Sequence, residues 1–486
     1  MNQKPKYYVT TAIAYASKKP HFGNTYEAIM TDAIARYKRE MGYDVYFCTG
    51  TDEHGQKIED LAKEAGITPK AYVDGVAGEI KNLWDKMNVS YDYFVRTTDD
   101  YHEAAVQKMF KKFFDQGDIY KSRYEGWYCV PCESFFTDTQ AADCKCPDCG
   151  REVQRASEEA YFFNMKKYAD RLMTYIEEHP GFIEPESRKK EIVNNFLKAG
   201  LQDLCVSRTS FTWGIQVPFD QKHVTYVWLD ALTNYITAIG FDPDKSFDEQ
   251  SEKFRSLWPA DVHIIGKDII RFHTIYWPIF LMALELPLPK KVFGHPWFNF
   301  GNDKMSKSKG NVVDPNDVVD AFGADVLRTY VLFMGDYEQA APWSESSVKG
   351  CKRFVDRIWN LQEIVVDSDD YSKELEVSFH KTIKKVSDDI ENMKYNTAIA
   401  AMMALINDFY KKNEVTKGEF KTLITLLNPF APHVTEEMWH ELGEDSFLSL
   451  EKWPEYDEAK TIDSVVEYGV QICGKFRGTV VLAADV

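Results

Sequence analysis

The sequence predicts an α/β protein built on a parallel sheet, with a module inserted into that sheet and a helical bundle after it. Three observations carry the prediction. A strand, a helix and a second strand follow one another between Tyr7 and Thr49, a spacing that closes as a parallel βαβ unit. Sheet-like sequence returns at Val262–Gly266 after a stretch of different character. Beyond about residue 345 the apolar residues recur at helical steps.

Residues 7–15, Tyr-Tyr-Val-Thr-Thr-Ala-Ile-Ala-Tyr, are β-branched and aromatic and read as a buried strand. A loop closed by Pro20 follows. Tyr26, Ile29, Met30, Ala33, Ile34, Tyr37 and Met41 then mark a helix with one buried face, and Gly42 is placed to end it. Val45 to Thr49 reads as the next strand. From roughly 115 to 215 the pattern changes to short strands, clustered cysteines and a helix over Arg188–Ala199. The helix predicted at Ile269–Leu284 is apolar nearly all round and belongs in a core. Phe354 to Val365, Phe379 to Met393, Ile399 to Phe409, Phe420 to Leu427 and the stretch around Trp439 mark the bundle. The tail, Val470 to Leu482, reads as a hairpin.

The bulk composition narrows the function. A chain of 486 residues is too long for one core, so two or three domains are expected. No apolar run approaches the ~18 residues of a membrane helix, so no membrane partner is expected. The N-terminal residues enter a strand directly, and no secretory signal is expected. A net charge of −18 excludes a non-specific nucleic-acid binder but not local basic patches. Nine cysteines without a signal point to reduced thiols and a cytoplasmic location.

Four of those cysteines form the pairs Cys129-x-x-Cys132 and Cys146-x-x-Cys149. This is the spacing of two metal knuckles, and four thiolates close a tetrahedral zinc site with no open position, hence a structural one. Cys144 is a nearby alternative ligand. Two other segments suit anions. Pro20-His21-Phe22-Gly23-Asn24 lies where a strand gives way to a helix, where free backbone N–H groups favour phosphate and Gly23 allows close approach. Lys304-Met-Ser-Lys-Ser308 is a cationic loop able to neutralise a departing pyrophosphate.

These two signatures in this order resemble those of class I aminoacyl-tRNA synthetases. The surrounding strings resemble the methionyl family: Thr11-Ala-Ile-Ala-Tyr15, Gly50-Thr-Asp-Glu-His-Gly55, Asp203-Leu-Cys-Val-Ser-Arg208, Val227-Trp-Leu-Asp-Ala231 and Ile265-Gly-Lys-Asp268. The resemblance implies a Rossmann-like catalytic domain over 1–115 and 216–345. It implies a connective-peptide insertion with a zinc knuckle over 116–215, and a helical anticodon-binding domain with a short strand segment over 346–486. It further implies a methionine pocket of Ile13, Tyr15, Trp228, Tyr235, Phe272 and His273, with Asp52 for the ammonium. By the same resemblance His21, Gly23, Asn24, Gly266, Asp268, Lys304 and Lys307 hold ATP, accompanied by Mg²⁺. Among them His21, Asn24, Lys304 and Lys307 are the catalytic set. The first signature usually ends in histidine; Asn24 can still donate a hydrogen bond but cannot become cationic.

The implied reaction charges tRNA(Met) with methionine through an adenylate. In the bundle the resemblance points to Arg357 and Asn360 as anticodon contacts, since unstacked bases are read by stacking and edge hydrogen bonds. Two rivals stand beside it. One is a leucyl-type enzyme, suggested by the helical region and by Gln471-Ile-Cys-Gly-Lys-Phe-Arg477; the other is a catalytically silent tRNA-binding relative. With no appended barrel recognisable after the bundle, a monomer is expected.

Overall fold

The computed structural model describes residues 4–20, 22–130, 134–136, 138, 140–141, 143–147, 150–300, 303–304, 313–335, 337–462 and 465–483. The chain divides into two compact units. One comprises Met1–Lys38, Gly42–Val318 and Tyr337–Trp343; the other comprises Arg39–Met41, Val319–Asp336 and Ser344–Val486.

The first unit is organised by one all-parallel sheet. Lys6–Thr11 pairs with Asp44–Asp52 on one side and Val262–Gly266 on the other. The sheet then extends through Val292–His295 to Ile183–Glu184, while Tyr93–Arg96 pairs with the far edge of Asp44–Asp52. The chain therefore leaves Lys6–Thr11 in one direction and returns beside it to continue in the other. That is a topological switch point, and ligands of open α/β sheets bind in the crevice beyond the strand ends at such a point.

The strand expected over 7–15 is two strands. Lys6–Thr11 stops, Ala12 and Ile13 are irregular, and Ala14–Tyr15 resumes pairing with Thr51 and Asp52. At the break the Ala12 N–H is shared between the Glu27 carboxylate at 2.6 Å and the Ile264 carbonyl of the neighbouring strand at 3.2 Å. The first helix spans Phe22–Glu40, with Gly42 beyond it at φ +87°. The helix expected over 269–284 begins as a 3₁₀ turn at Lys267–Ile269. It widens to a π turn over Phe272–Tyr276 and continues as α through Trp277–Ala283. Helix 186–197 likewise ends in a π turn, Val193–Leu197.

Between the outer strands lies an antiparallel sheet in the order Ser134–Phe136, Ile119–Cys129, Gln154–Phe163, Leu204–Cys205. Phe163 packs edge-on against Phe113 and Phe280 at 5.2 and 5.1 Å, joining this sheet to the main core.

The second unit is helical: Ala324–Phe333, Glu345–Asn360, Glu376–Glu391, Tyr395–Lys412, Lys417–Leu427 and Pro432–Glu441. A capping box at Thr416 and Glu419 starts one helix, and Asp325 accepts from Val434 N–H to start another. Arg328 is fully buried and donates to the carbonyls of Pro429 and Phe430, satisfying the turn between helices. The tail is a hairpin, Val465–Ile472 with Lys475–Ala483. Among the described residues no helix is long and apolar enough to cross a membrane.

Gly50 lies where its strand meets Tyr93–Arg96, and a Cβ there would sit 2.0 Å from the Val95 carbonyl oxygen. Gly50→Ala is expected to separate these strands and lower the first thermal transition by roughly 4–10 °C, read by calorimetry.

Candidate active site

Three strand ends converge at the switch point. The first leads into Ile13 and Tyr15, the second ends at Asp52, and the third ends at Gly266. Tyr15 is paired with Asp52 by register, and Lys57 Nζ lies 5.4 Å over the Tyr15 ring. Asp52 is mostly buried, with 9% of its surface exposed. A Cβ at Gly266 would meet Asp268 Oδ1 at 2.8 Å, so a side chain there would displace the Asp268 carboxylate. Asp268 itself is exposed and accepts from Trp297 Nε1 at 3.1 Å.

An aromatic cluster stands beside these ends. Trp228 and Tyr235 are two turns apart on helix Val227–Thr237, so they share a face. The π turn delivers Phe272 and His273 as neighbours. Trp228 stacks on Phe272 with ring centroids 3.6 Å apart and planes 7° apart. Its Nε1 is buried and finds no hydrogen-bond partner among the described residues. Ile13 packs on the same core as Trp228, Tyr235 and Phe272.

The hydrogen atoms in this cluster can be placed by elimination. His273 Nδ1 faces the Ile269 carbonyl at 2.9 Å, which only accepts, so Nδ1 carries the proton. Burial pushes the His273 imidazole down to about 4, so Nε2 is a bare acceptor at neutral pH. The Tyr235 hydroxyl therefore donates to Nε2, at 2.7 Å, and presents only oxygen lone pairs elsewhere. Burial also holds the Tyr235 phenol well above its ordinary range. Behind it His263 is neutral for the same reason, with burial keeping it well below its usual value. Thr10 lies 2.7 Å from its Nδ1, and Trp277 donates to its Nε2 at 3.3 Å.

The opposite charge state is built two residues beyond Asp52. His54 Nδ1 bonds Asp230 Oδ2 at 2.7 Å, and His102 Nε2 bonds Asp230 Oδ1 at 2.8 Å. All three side chains are buried. Burial alone would lower His54, but Asp230, and beyond it Glu103, raise it to about 10. Asp230 is correspondingly held below the usual carboxylate range, burial being outweighed by the two histidines. One residue before His54, Glu53 takes a bidentate pair from Arg96 at 2.7 and 3.0 Å and hydrogen bonds from Thr51 and Thr98.

The first turn of helix Phe22–Glu40 carries Gly23 and Asn24. Phe22 packs edge-on against Trp343 at 5.1 Å and Tyr26 against His295 at 4.7 Å. Glu27 links the helix to two strands, through Ala12 N–H and through His295 at 3.1 Å. Burial raises the Glu27 carboxyl, opposed by His295. His21, Lys307, Cys132 and Cys149 lie outside the described residues. Lys304 sits in the short strand Asp303–Lys304.

Cys129 and Cys146 are both buried, in a core of their own with Phe136, Ala141 and Val153. A tight turn carries Cys146, its N–H bonded to Arg151 O and its carbonyl accepting from Gly150 N–H. Cys129 and Cys146 belong to this small core, and thiol donors at this spacing fit a zinc ion. In the helical unit Asn360 is exposed beside Trp359, which is 37% exposed. Arg357 is engaged within the bundle, bonding Asn407 Oδ1 at 2.9 Å and lying 4.7 Å over Tyr410.

Comparison with known proteins decides the family. A model described as "tRNA synthetases class I (M)" matches residues 7–159 and 154–360, and one described as "Anticodon-binding domain of tRNA ligase" matches residues 372–485. The chain is 46% identical to a methionine–tRNA ligase of Caldanaerobacter subterraneus over 90% of this chain and 74% of that protein. The chain belongs to the methionyl class I tRNA synthetases. A methionine–tRNA ligase of Clostridium acetobutylicum is 63% identical over 68% of this chain, and the chain spans about half the length of that relative, 51%. The solved methionyl-tRNA synthetase of Mycobacterium tuberculosis bound by methionyl-adenylate superposes with a TM-score of 0.83 at 34% identity, covering 92% of this chain and 96% of that one. Within this family frame, Glu27, Arg96, His102 and Asp230 are site-building residues that sequence patterns did not single out. The one available signal was a carboxylate, Glu27, set against the apolar face of its helix.

A histidine held above its usual value stabilises the fold fully below pH 6.5, and that gain fades as pH rises through about 10. Asp230 adds stability above its ordinary value of 3.8, lost only as pH falls through its lowered value. His54→Gln is therefore expected to destabilise by about 3 kcal/mol near pH 6 and by much less at pH 10, measured by denaturant titration at both pH values.

Proposed function

We propose that the chain is a methionine–tRNA ligase. The catalytic domain is assigned to 1–115 and 216–345, the zinc-bearing insertion to 116–215 and the anticodon-binding domain to 346–486, although Val319–Asp336 belongs to the second compact unit. The observation that carries this reading is the neutral aromatic cluster of Trp228, Tyr235, Phe272 and His273 beside the carboxylate end of strand Asp44–Asp52. A thioether side chain is apolar and a weak acceptor, and a pocket without a charged group suits it. Asp52 takes the ammonium. The substrate carboxylate then faces the switch-point crevice, where the first turn of helix Phe22–Glu40 favours phosphate.

The methionine carboxylate attacks the α-phosphorus of ATP, and pyrophosphate leaves with the electrons of the broken P–O bond. His21 and Asn24 hold the triphosphate, Gly266 and Asp268 the ribose, and Lys304 and Lys307 the departing charge. The terminal ribose hydroxyl of tRNA(Met) next attacks the acyl carbon and AMP leaves. Orientation and charge stabilisation supply the rate, with no covalent enzyme intermediate. Magnesium enters with ATP, bound mainly by phosphates and water. Cys129, Cys132, Cys146 and Cys149 hold a structural zinc in this small module. Arg357 and Asn360 are the proposed anticodon contacts. A cytoplasmic monomer is the proposed form.

ATP–pyrophosphate exchange tests the reading, with methionine, leucine and cysteine compared. Exchange with methionine is expected; exchange with leucine alone would establish the leucyl-type rival, and none with any amino acid the silent relative. Asp52→Asn is expected to lower kcat/KM for methionine roughly 10–100-fold with KM for ATP little changed. Metal analysis is expected to return one zinc per chain, and chelation to lower thermal stability.

A further inference from the structure

The tail hairpin is the least covered element of the described structure. Strands Val465–Ile472 and Lys475–Ala483 form a two-stranded sheet, and their ladder runs only between themselves. Residues 469–477 are all exposed. Ile472 is 57% exposed and Phe476 63%, while Val470, Val480 and Leu482 are each at least 38% exposed. An isolated two-stranded hairpin is marginal in water, and exposed apolar side chains gathered on it mark a surface that something covers.

Its geometry is nonetheless tightly specified. Ile472 pairs with Lys475, so the tip is the two-residue loop Cys473-Gly474. Both have positive φ, +52° and +74°, the turn that matches hairpin twist. The register slips between Val470 and Gln471, which leaves Arg477 as the extra residue of a bulge. Phe476 leans on Gly469, where a side chain would meet the ring at 3.6 Å. The missing side chain at Gly469 leaves room for the exposed Phe476 ring, which Lys475 and Arg477 flank in sequence.

The charge of the segment selects the occupant. Residues 468–483 hold Lys475 and Arg477 and no carboxylate, in a chain of net charge −18. A second copy pairing edge to edge would bring like charges together. A phosphodiester strand is complementary, and alternating cations and an aromatic ring are how unstacked nucleotides are held. The hairpin also falls inside the segment matched by the anticodon-binding family model.

We propose that the tip Lys475-Phe476-Arg477 is an RNA-contacting element, Phe476 stacking on an unpaired base of the tRNA and Lys475 and Arg477 meeting the flanking phosphates. This deepens the ligase reading and rests on it for the identity of the RNA. It concerns residues outside the helices that carry Arg357 and Asn360.

The test uses the full chain and a transcribed tRNA with a CAU anticodon. Binding is followed by fluorescence anisotropy over a salt series, and amino-acid activation separately by ATP–pyrophosphate exchange. Phe476→Ala is expected to weaken binding at least fivefold with the salt slope unchanged, and Phe476→Trp to restore it. Lys475→Ala with Arg477→Ala is expected to weaken binding about tenfold and to reduce the salt slope by about 1–2. Exchange is expected to stay at the parent level in all variants. Unchanged tRNA affinity in folded variants would overturn the proposal. So would a shift in sedimentation from dimer to monomer, which would assign the hairpin to a second copy. Failure of exchange in the parent chain would instead count against the ligase reading, because the binding readout does not depend on activation.

Discussion

A single buried carboxylate organises the site. Asp230 is 1% exposed, and an ion at that depth is tolerated only when paired and hydrogen-bonded. Its two oxygens are taken by His54 and His102, which arrive from a strand-end loop and from helix Asp100–Asp115. Asp230 itself lies two residues after Trp228. The triad therefore fastens the loop carrying Asp52 to the helix carrying the aromatic wall. Glu53 repeats the device on its other side through Arg96. Asp52 lies beside Glu53 and two residues before His54, both immobilised, and a supporting layer of this kind holds a carboxylate in place.

The histidines of this region are divided into two charge states by their neighbours, not by burial. His54, His263 and His273 are all deeply buried. His54 faces two carboxylates and stays protonated. His273 faces a phenol and a backbone carbonyl, and His263 a threonine and an indole, so both stay neutral. The result is a cationic brace behind the site and an uncharged wall in front of it. A cationic His273 would lose its acceptor for Tyr235 and place a bare charge against the face that suits an apolar side chain.

The α/β class and the order of the elements were legible in sequence because they rest on local patterns. Helix periodicity located Phe22–Glu40 and most bundle helices, but it began Glu345–Asn360 nine residues late and missed Ala324–Phe333. Trp228, Tyr235, Phe272 and His273 were named through the family resemblance, and the fold brings them together. What sequence did not reveal is what depends on partners far along the chain. His102 lies 128 positions from Asp230, and nothing in its local pattern distinguishes it from a surface histidine of an amphipathic helix. The broken first strand was missed for the same reason. At the break Glu27 shares the Ala12 N–H with the neighbouring strand. Arg357, named with Asn360 as an anticodon contact, also bonds Asn407 and lies over Tyr410, partners fifty and more positions away that its local pattern does not announce.

Glu27 also shows how an acidic residue can serve a phosphate-binding turn. A carboxylate so close to the start of helix Phe22–Glu40 would oppose an incoming triphosphate if its charge were unshared. Burial already raises its pKa, and the remaining charge is spent on Ala12 N–H and on His295. These two bonds tie the helix start to the ends of two strands, Lys6–Thr11 and Val292–His295, that flank Val262–Gly266 in the sheet. An apolar residue at 27 would remove the repulsion but also the anchor, and helix and strand ends would be free to drift apart. The position keeps a carboxylate because anchoring the helix start matters more than removing one well-neutralised charge.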